Sequence, residues 1–184
     1  MDKTDAAEVR RMVALQTDAF HSPAPLAALD GMARKFFEAE VLSEMQKKIR
    51  FNPDELFASL VIEPTNPATI SGSGSKVIGG VEVSYVGQKD ILRLLEPGTE
   101  GYCYIASMVV APAWRRRGGA AALLAAAEAA VELWDERQAV LHVYQDNIAA
   151  VQLYRKQGYE IVLQEKKGLA SMGRRPRYLM RKRW

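Results

Sequence analysis

Apolar positions recur at helical spacing near the start of the chain. Within residues 5–20, Val9, Met12, Val13 and Phe20 fall on one face of a predicted helix. His21-Ser-Pro-Ala-Pro25 ends it with two prolines. A longer helix is predicted over residues 29–50. Its apolar positions include Met32, Phe36, Phe37, Val41, Leu42, Met45 and Ile49, and Asn52-Pro53 closes it. Strand-like segments follow at 56–62 and 76–86, separated by a glycine-serine loop over 66–75, and they are expected to pair as a hairpin. Residues 87–101 form an excursion with a short helix over 89–95. The remaining pattern predicts a strand at 102–110, an alanine-rich helix at 118–134 and a strand at 140–144. A helix over 148–157 follows, capped by Asn147 and ended by Gly158. Strands at 159–164 and 178–183 complete an α/β chain.

Length and composition narrow the class. A chain of 184 residues fits one domain with a sizeable core, and no internal repeat is visible. A hydrophobic content of 48% and a charged content of 26% are ordinary for a globular protein. No apolar run approaches the roughly 18–20 residues needed to span a bilayer. No secretory pattern opens the chain. The single cysteine, Cys103, excludes an internal disulfide and, with two distant histidines, a zinc cluster is not expected. A reducing environment is expected.

Net charge is +3 but uneven. Residues 165–184 hold Lys166, Lys167, Arg174, Arg175, Arg177, Arg181, Lys182 and Arg183 against one acid, Glu165. Contact with nucleic acid or a ribosome is one reading. No aromatic-basic RNA-binding motif accompanies the run, so a solvated basic face or the rim of a site for an acidic substrate is expected instead.

Chemistry enters with Met108-Val-Val-Ala-Pro-Ala-Trp-Arg-Arg-Arg-Gly-Gly-Ala120. A strand end is followed by a turn, a basic glycine-rich loop and a helix start. Such a loop offers unpaired backbone N–H groups beside arginines, which suits a pyrophosphate. It is not a P-loop, because no Gly-Lys-Ser/Thr follows. Three solvated arginines on a surface turn are the alternative. A second segment runs from Leu141 to Tyr159 and contains His142, Asn147, Ala150, Tyr154 and Gly158.

In register, these segments resemble the GNAT superfamily of N-acetyltransferases. Its coenzyme loop, Arg/Gln-x-x-Gly-x-Gly/Ala, is matched by Arg115-x-x-Gly118-x-Ala120. Its later motif, Asn-x-x-Ala-x-x-Leu/Phe-Tyr-x-x-x-Gly-Phe/Tyr, is filled from Asn147 to Tyr159. The resemblance covers roughly residues 76–184. It implies a GNAT fold, a mixed central β-sheet flanked by helices on both faces, in a single domain over 1–184 with a coenzyme-binding core at about 102–160. It implies acetyl-CoA as cosubstrate and no metal. Met108, Val109 and Val110 would contribute backbone groups to the pantetheine arm. Arg115, Arg116, Arg117, Gly118, Gly119, Ala120 and Ala121 would hold the pyrophosphate. Asn147 and Ala150 would lie near the coenzyme, and Tyr154 would donate a proton to its sulfur. That family usually begins with a strand before its first helix. Here either that strand is missing or an N-terminal piece was removed.

Acyl transfer to an amine needs a neutral amine and a proton for the leaving thiolate. An α-ammonium loses its proton near pH ~8 and a lysine near ~10.4, so a general base is useful at pH 7. His142 stands five residues before Asn147, and Tyr104-Ile105 stands eleven before Arg115. Those offsets resemble the catalytic pair of E-type N-terminal acetyltransferases, where the two groups would position a water that accepts the amine proton. A packed strand residue is the structural alternative for His142, and a half-buried core tyrosine is that for Tyr154. Cys103 is a conceivable nucleophile, but period two places it opposite Tyr104 and predicts a core position.

Phe37-Glu-Ala-Glu-Val-Leu-Ser43, Tyr102-Cys-Tyr-Ile-Ala106 and Arg177-Tyr-Leu-Met-Arg-Lys-Arg-Trp184 resemble plastid acetyltransferases of plants and algae. That resemblance implies protein N-terminal α-amines and lysines as acceptors. It also implies a plastid stroma, with cytoplasm as the alternative. A small-amine acetyltransferase of the arylalkylamine type is a second reading. A non-catalytic acyl-CoA-binding or ribosome-docking module is a third. Loops around 21–31 and 164–177 are expected to set peptide specificity. No membrane partner is expected, and no pattern fixes the oligomeric state.

Overall fold

The computed structural model describes residue 1 and residues 5–23, 26–65, 76–166 and 175–184. The expected glycine-serine loop, and Lys167 and Arg174 of the basic run, lie outside the described residues.

Helix α1 spans Ala6–Phe20 and starts where the Asp5 carboxylate accepts from the Ala7 and Glu8 N–H groups at 2.7 and 3.3 Å. That cap satisfies donors the helix cannot. Val9, Met12 and Val13 are buried as expected, but Phe20 is 42% exposed. The buried stripe continues through Leu15, Gln16 and Thr17 instead, because polar Gln16 finds an internal partner. Helix α2 spans Ala27–Phe51, and of its side chains only Met45 is fully buried. An Asp18–Arg34 ion pair and a 3.1 Å contact between His21 Nε2 and Asp30 Oδ1 tie the end of α1 to the start of α2.

Strands β1 (Phe57–Ile62) and β2 (Gly79–Val86) follow, then a short α3 (Lys89–Leu92). β3 (Tyr102–Val110), a 3-10 turn at Pro112–Trp114, α4 (Gly119–Leu133) and β4 (Gln138–Tyr144) carry the two motif regions. α5 (Ile148–Lys156), β5 (Glu160–Gln164) and β6 (Arg177–Arg183) end the chain. The strands form one six-stranded sheet in the order β1-β2-β3-β4-β6-β5. β3 and β4 run parallel, while β6 pairs antiparallel with both β4 and β5. The mixed sheet flanked by helices is the expected architecture. β1 and β2 are neighbours, as the expected hairpin requires. The entry of the last strand between β4 and β5 is invisible to local patterning.

Contacts divide the chain into two compact units, Met1–Glu82 with Ser107–Ala126, and Val83–Ala106 with Ala127–Trp184. The first is built on Val9, Met12, Val13, Leu15, Met45, Val77, Val109 and Ala111. α1 lies so close to β2 that a Cβ on Gly80 would meet the Met12 sulfur at 2.5 Å. The Glu82 carboxylate, 2% exposed, accepts from Gln16 Nε2 and Lys48 Nζ, each at 2.6 Å. A buried carboxylate requires such partners.

The second unit has a cluster of Ile91, Leu95, Tyr102, Val140 and Leu179. Here the basic C-terminal run departs from expectation. Arg175 pairs with Asp146, Arg177 with Glu165, Arg181 with Glu160, Lys182 with Glu128 and Arg183 with Glu96. Much of the cationic charge faces carboxylates, Glu165 within the run and Asp146, Glu160, Glu128 and Glu96 from other segments, rather than standing as an unmatched basic face.

Candidate active site

Tyr104 and His142 come together across the parallel pair β3 and β4. Tyr104 is in register with Val140, so His142 is one same-face step along. Tyr104 Oη lies 2.9 Å from His142 Nδ1, and the rings sit 5.8 Å apart at 63°. The hydrogen bond can be written with either donor. With the ring proton on Nδ1, the imidazole donates to Tyr104 and leaves Nε2 as the basic nitrogen.

Burial lowers the His142 pKa, the Arg177 guanidinium adds to that, and Glu165 partly offsets it. The neutral, proton-accepting ring is therefore favoured at pH 7. Burial raises the Tyr104 pKa, with Arg177 pulling the other way. Tyr104 is a neutral phenol at pH 7, suited to orient a partner rather than to act as an anion.

Cys103 and Ile105, the neighbours of Tyr104, are buried, as alternation demands. Cys103 is fully buried, and burial pushes its thiol up to about 12. That removes the thiolate a nucleophilic role would need.

Two side chains beside the pair were counted in the sequence but not assigned to it. In the β4–β6 ladder, Leu179 faces His142 and Arg177 faces Tyr144. Arg177 donates its backbone N–H to Glu165 Oε2 at 2.8 Å and a terminal guanidinium nitrogen to Oε1 at 2.8 Å. Gln145 Nε2 donates to the carbonyls of Glu165 at 2.7 Å and Arg177 at 3.2 Å. The available sequence signal was Glu165 itself, the lone acid in a basic run.

Tyr154 projects from α5 and is 6% exposed, with its ring 5.8 Å from that of Tyr159. Burial foremost, and Tyr104 next, push its pKa up to about 12. It keeps its proton at neutral pH and can serve only as an acid there. Asn147 caps α5, its Oδ1 accepting from the Ala150 N–H at 3.3 Å.

The coenzyme motif belongs to the first unit. Ser107 takes a φ of 54°, a left-handed kink within β3, just before Met108, Val109 and Val110. Arg115 Nε donates to the Val110 carbonyl at 3.1 Å, tying the loop to the strand end. The Arg117 guanidinium covers the Trp114 ring at 5.1 Å. Arg116 and Gly118 take φ values of 62° and 85°. Left-handed residues in such a turn aim successive N–H groups into a concavity. The first helical bond of α4 runs from the Ala122 N–H to the Gly118 carbonyl at 3.0 Å. The N–H groups of Gly118, Gly119, Ala120 and Ala121 therefore precede the helical ladder. A Cβ on Gly118 would meet nothing within 4 Å, so open space stands over this turn. Exposed donors, arginines and open space fit a pyrophosphate-bearing coenzyme.

The fold is that of an α/β protein with a mixed six-stranded sheet flanked by helices. The chain belongs to the Acetyltransferase (GNAT) family, whose pattern matches residues 28–159. It is 36% identical to GCN5-related N-acetyltransferase 10, chloroplastic, of Arabidopsis thaliana, over all of this chain and 71% of that one. Arabidopsis thaliana NAA60 with a bisubstrate analogue superposes with a TM-score of 0.67 at 20% identity, covering 97% of this chain and 95% of that one. The same protein with acetyl-CoA gives 0.66 at 19% identity, covering 97% and 94%. The protein is thus an acetyl-CoA-dependent N-acetyltransferase, as the two motifs implied, rather than a non-catalytic module. Among the described residues no cluster of His, Cys, Asp and Glu could hold a metal ion, and no helix is long and apolar enough to cross a membrane.

Proposed function

We propose that this enzyme acetylates protein N-terminal α-amines, with lysine ε-amines as a second acceptor class, by direct attack of the amine. The observation that carries the reading is the 2.9 Å contact between Tyr104 Oη and His142 Nδ1. Acetyl-CoA supplies the thioester acyl group. The loop Arg115–Ala121 holds its pyrophosphate, and the backbone of Met108, Val109 and Val110 lies along its pantetheine arm. Asn147 and Ala150 shape the start of α5 near the coenzyme.

His142 takes the amine proton through a water that Tyr104 helps to place. A neutral imidazole is needed for this, and burial favours that form. Tyr154 gives its proton toward the departing sulfur, a role its raised pKa allows. Residues 1–184 act as one catalytic domain. The chloroplastic relative supports a plastid stroma as the site of action.

An acetylation assay with a mixed peptide library and a panel of small amines tests the acceptor class. Peptides acetylated at their N-termini, some also at lysine, are expected. Turnover confined to arylalkylamines or polyamines would replace the protein acceptor with a small one.

A further inference from the structure

The Glu165–Arg177 pair has a geometry that a surface ion pair does not require. Directly opposed residues of an antiparallel ladder share a face, so Arg177 shares its face with Tyr144. Alternation places His142 on that face too, with Tyr104 joining from β3. Arg177 is held at both backbone and side chain by the two Glu165 oxygens. Gln145 holds the carbonyls of both residues. Arg175 stacks on the outer ring, Tyr144, at 4.2 Å, and Asp146 matches its charge.

We propose that Glu165 and Arg177 are positioning residues of the proton-accepting pair, fixing a guanidinium on the face that carries Tyr104 and His142. The proposal rests on the reading of His142 as proton acceptor and names what sets its working range. Its charged and titratable surroundings are Tyr104 from β3, Tyr144 from its own strand, Arg177 from β6 and Glu165 beyond β5. Tyr104 in turn helps to raise the pKa of Tyr154 on α5. Arg177 opposes protonation of the ring and outweighs Glu165, which favours it. The two members of one ion pair thus have opposite signs at His142. Glu165 has a second function as the clamp that stops the guanidinium from swinging into solvent.

The sign difference gives the test. The chain has two histidines, so imidazole resonances can be followed by NMR titration and His142 assigned by its loss in His142→Ala. Arg177→Gln should move the His142 midpoint to higher pH. Glu165→Gln, whose amide oxygen can still accept from the guanidinium and hold it in place, removes only the acid's charge and should move it to lower pH. Glu165→Ala, which frees the guanidinium, should cancel part of that fall. Arg177→Lys, which keeps the charge, should restore most of the wild-type midpoint. Both members are substantially exposed, at 44% and 33%, so the variants are expected to fold, and melting temperature checks this. A pair that merely braces the strands would move neither midpoint, or both the same way. Either result in folded variants overturns the proposal. The pH–rate profile separates the underlying reading. A folded His142→Ala enzyme that keeps the wild-type profile would sink the proton-acceptor role itself, whatever the resonances of the other variants do.

Discussion

Cys103 and Tyr154 are pushed the same way by the same cause, with opposite consequences. Burial lifts each to about 12. For a thiol that abolishes the reactive form, whereas for a phenol it secures the proton an acid must deliver. Tyr154→Phe should lower turnover roughly 10²-fold or somewhat less while acetyl-CoA still binds. Steady-state kinetics with a binding titration checks this, and unchanged turnover would return Tyr154 to packing alone. His142 adds a pH signature to stability. Its folded pKa lies below the ordinary value, so the unfolded chain binds the proton first as pH falls. The contribution is full above pH ~6.5 and is lost as pH drops toward the lowered folded value. Urea midpoints at pH 7.5 and 5.5 should therefore fall further for the wild type than for His142→Ala. Equal slopes would mean that His142 titrates as it does in the unfolded chain.

At the scale of elements, the instructive case is the grip of α1 and α2 on β2. A carboxylate on a buried strand looks like an error in the hydrophobic pattern until Gln16 and Lys48 are brought to it. Its partners lie 66 and 34 residues away, so no local window links them. Lys48→Met should leave Glu82 buried with half its support and cost about 2–3 kcal/mol. That is below the loss for a wholly enclosed pair, because Lys48 is 37% exposed and partly solvated. Adding Glu82→Gln should recover much of the loss, since the uncompensated charge goes with it. Thermal denaturation of the single and double variants decides this, and additive losses would show that Glu82 is not the origin of the cost. β6 makes a similar point. Its run of Arg and Lys suggests a basic face, but antiparallel pairing with β5 and the approach of α4 set acids beside it.

For the molecule as a whole, function depends on a ligand that binds the native state and not the unfolded one. Acetyl-CoA should raise the melting temperature, with about 2.7 kcal/mol of added stability at a hundredfold excess over its Kd. Gly118→Val should blunt that rise. It puts a side chain into open space over the loop and strains a backbone at φ 85°. An undiminished thermal shift in the variant would place the coenzyme elsewhere. The chain's local pattern was enough to order the elements, to mark Asn147 as the cap of α5 and to set Cys103 and Tyr104 on opposite faces. Helical and strand periods, caps and glycine turns are properties of neighbours in sequence. Offsets from two motifs also pointed to Tyr104 and His142, 38 residues apart, although only folding set them 2.9 Å from each other. Tertiary structure alone decided that β6 enters between β4 and β5, that Glu165 pairs with Arg177 and that Glu82 is matched by Lys48. Periodicity states which face a side chain takes, but its partner there depends on how distant segments pack.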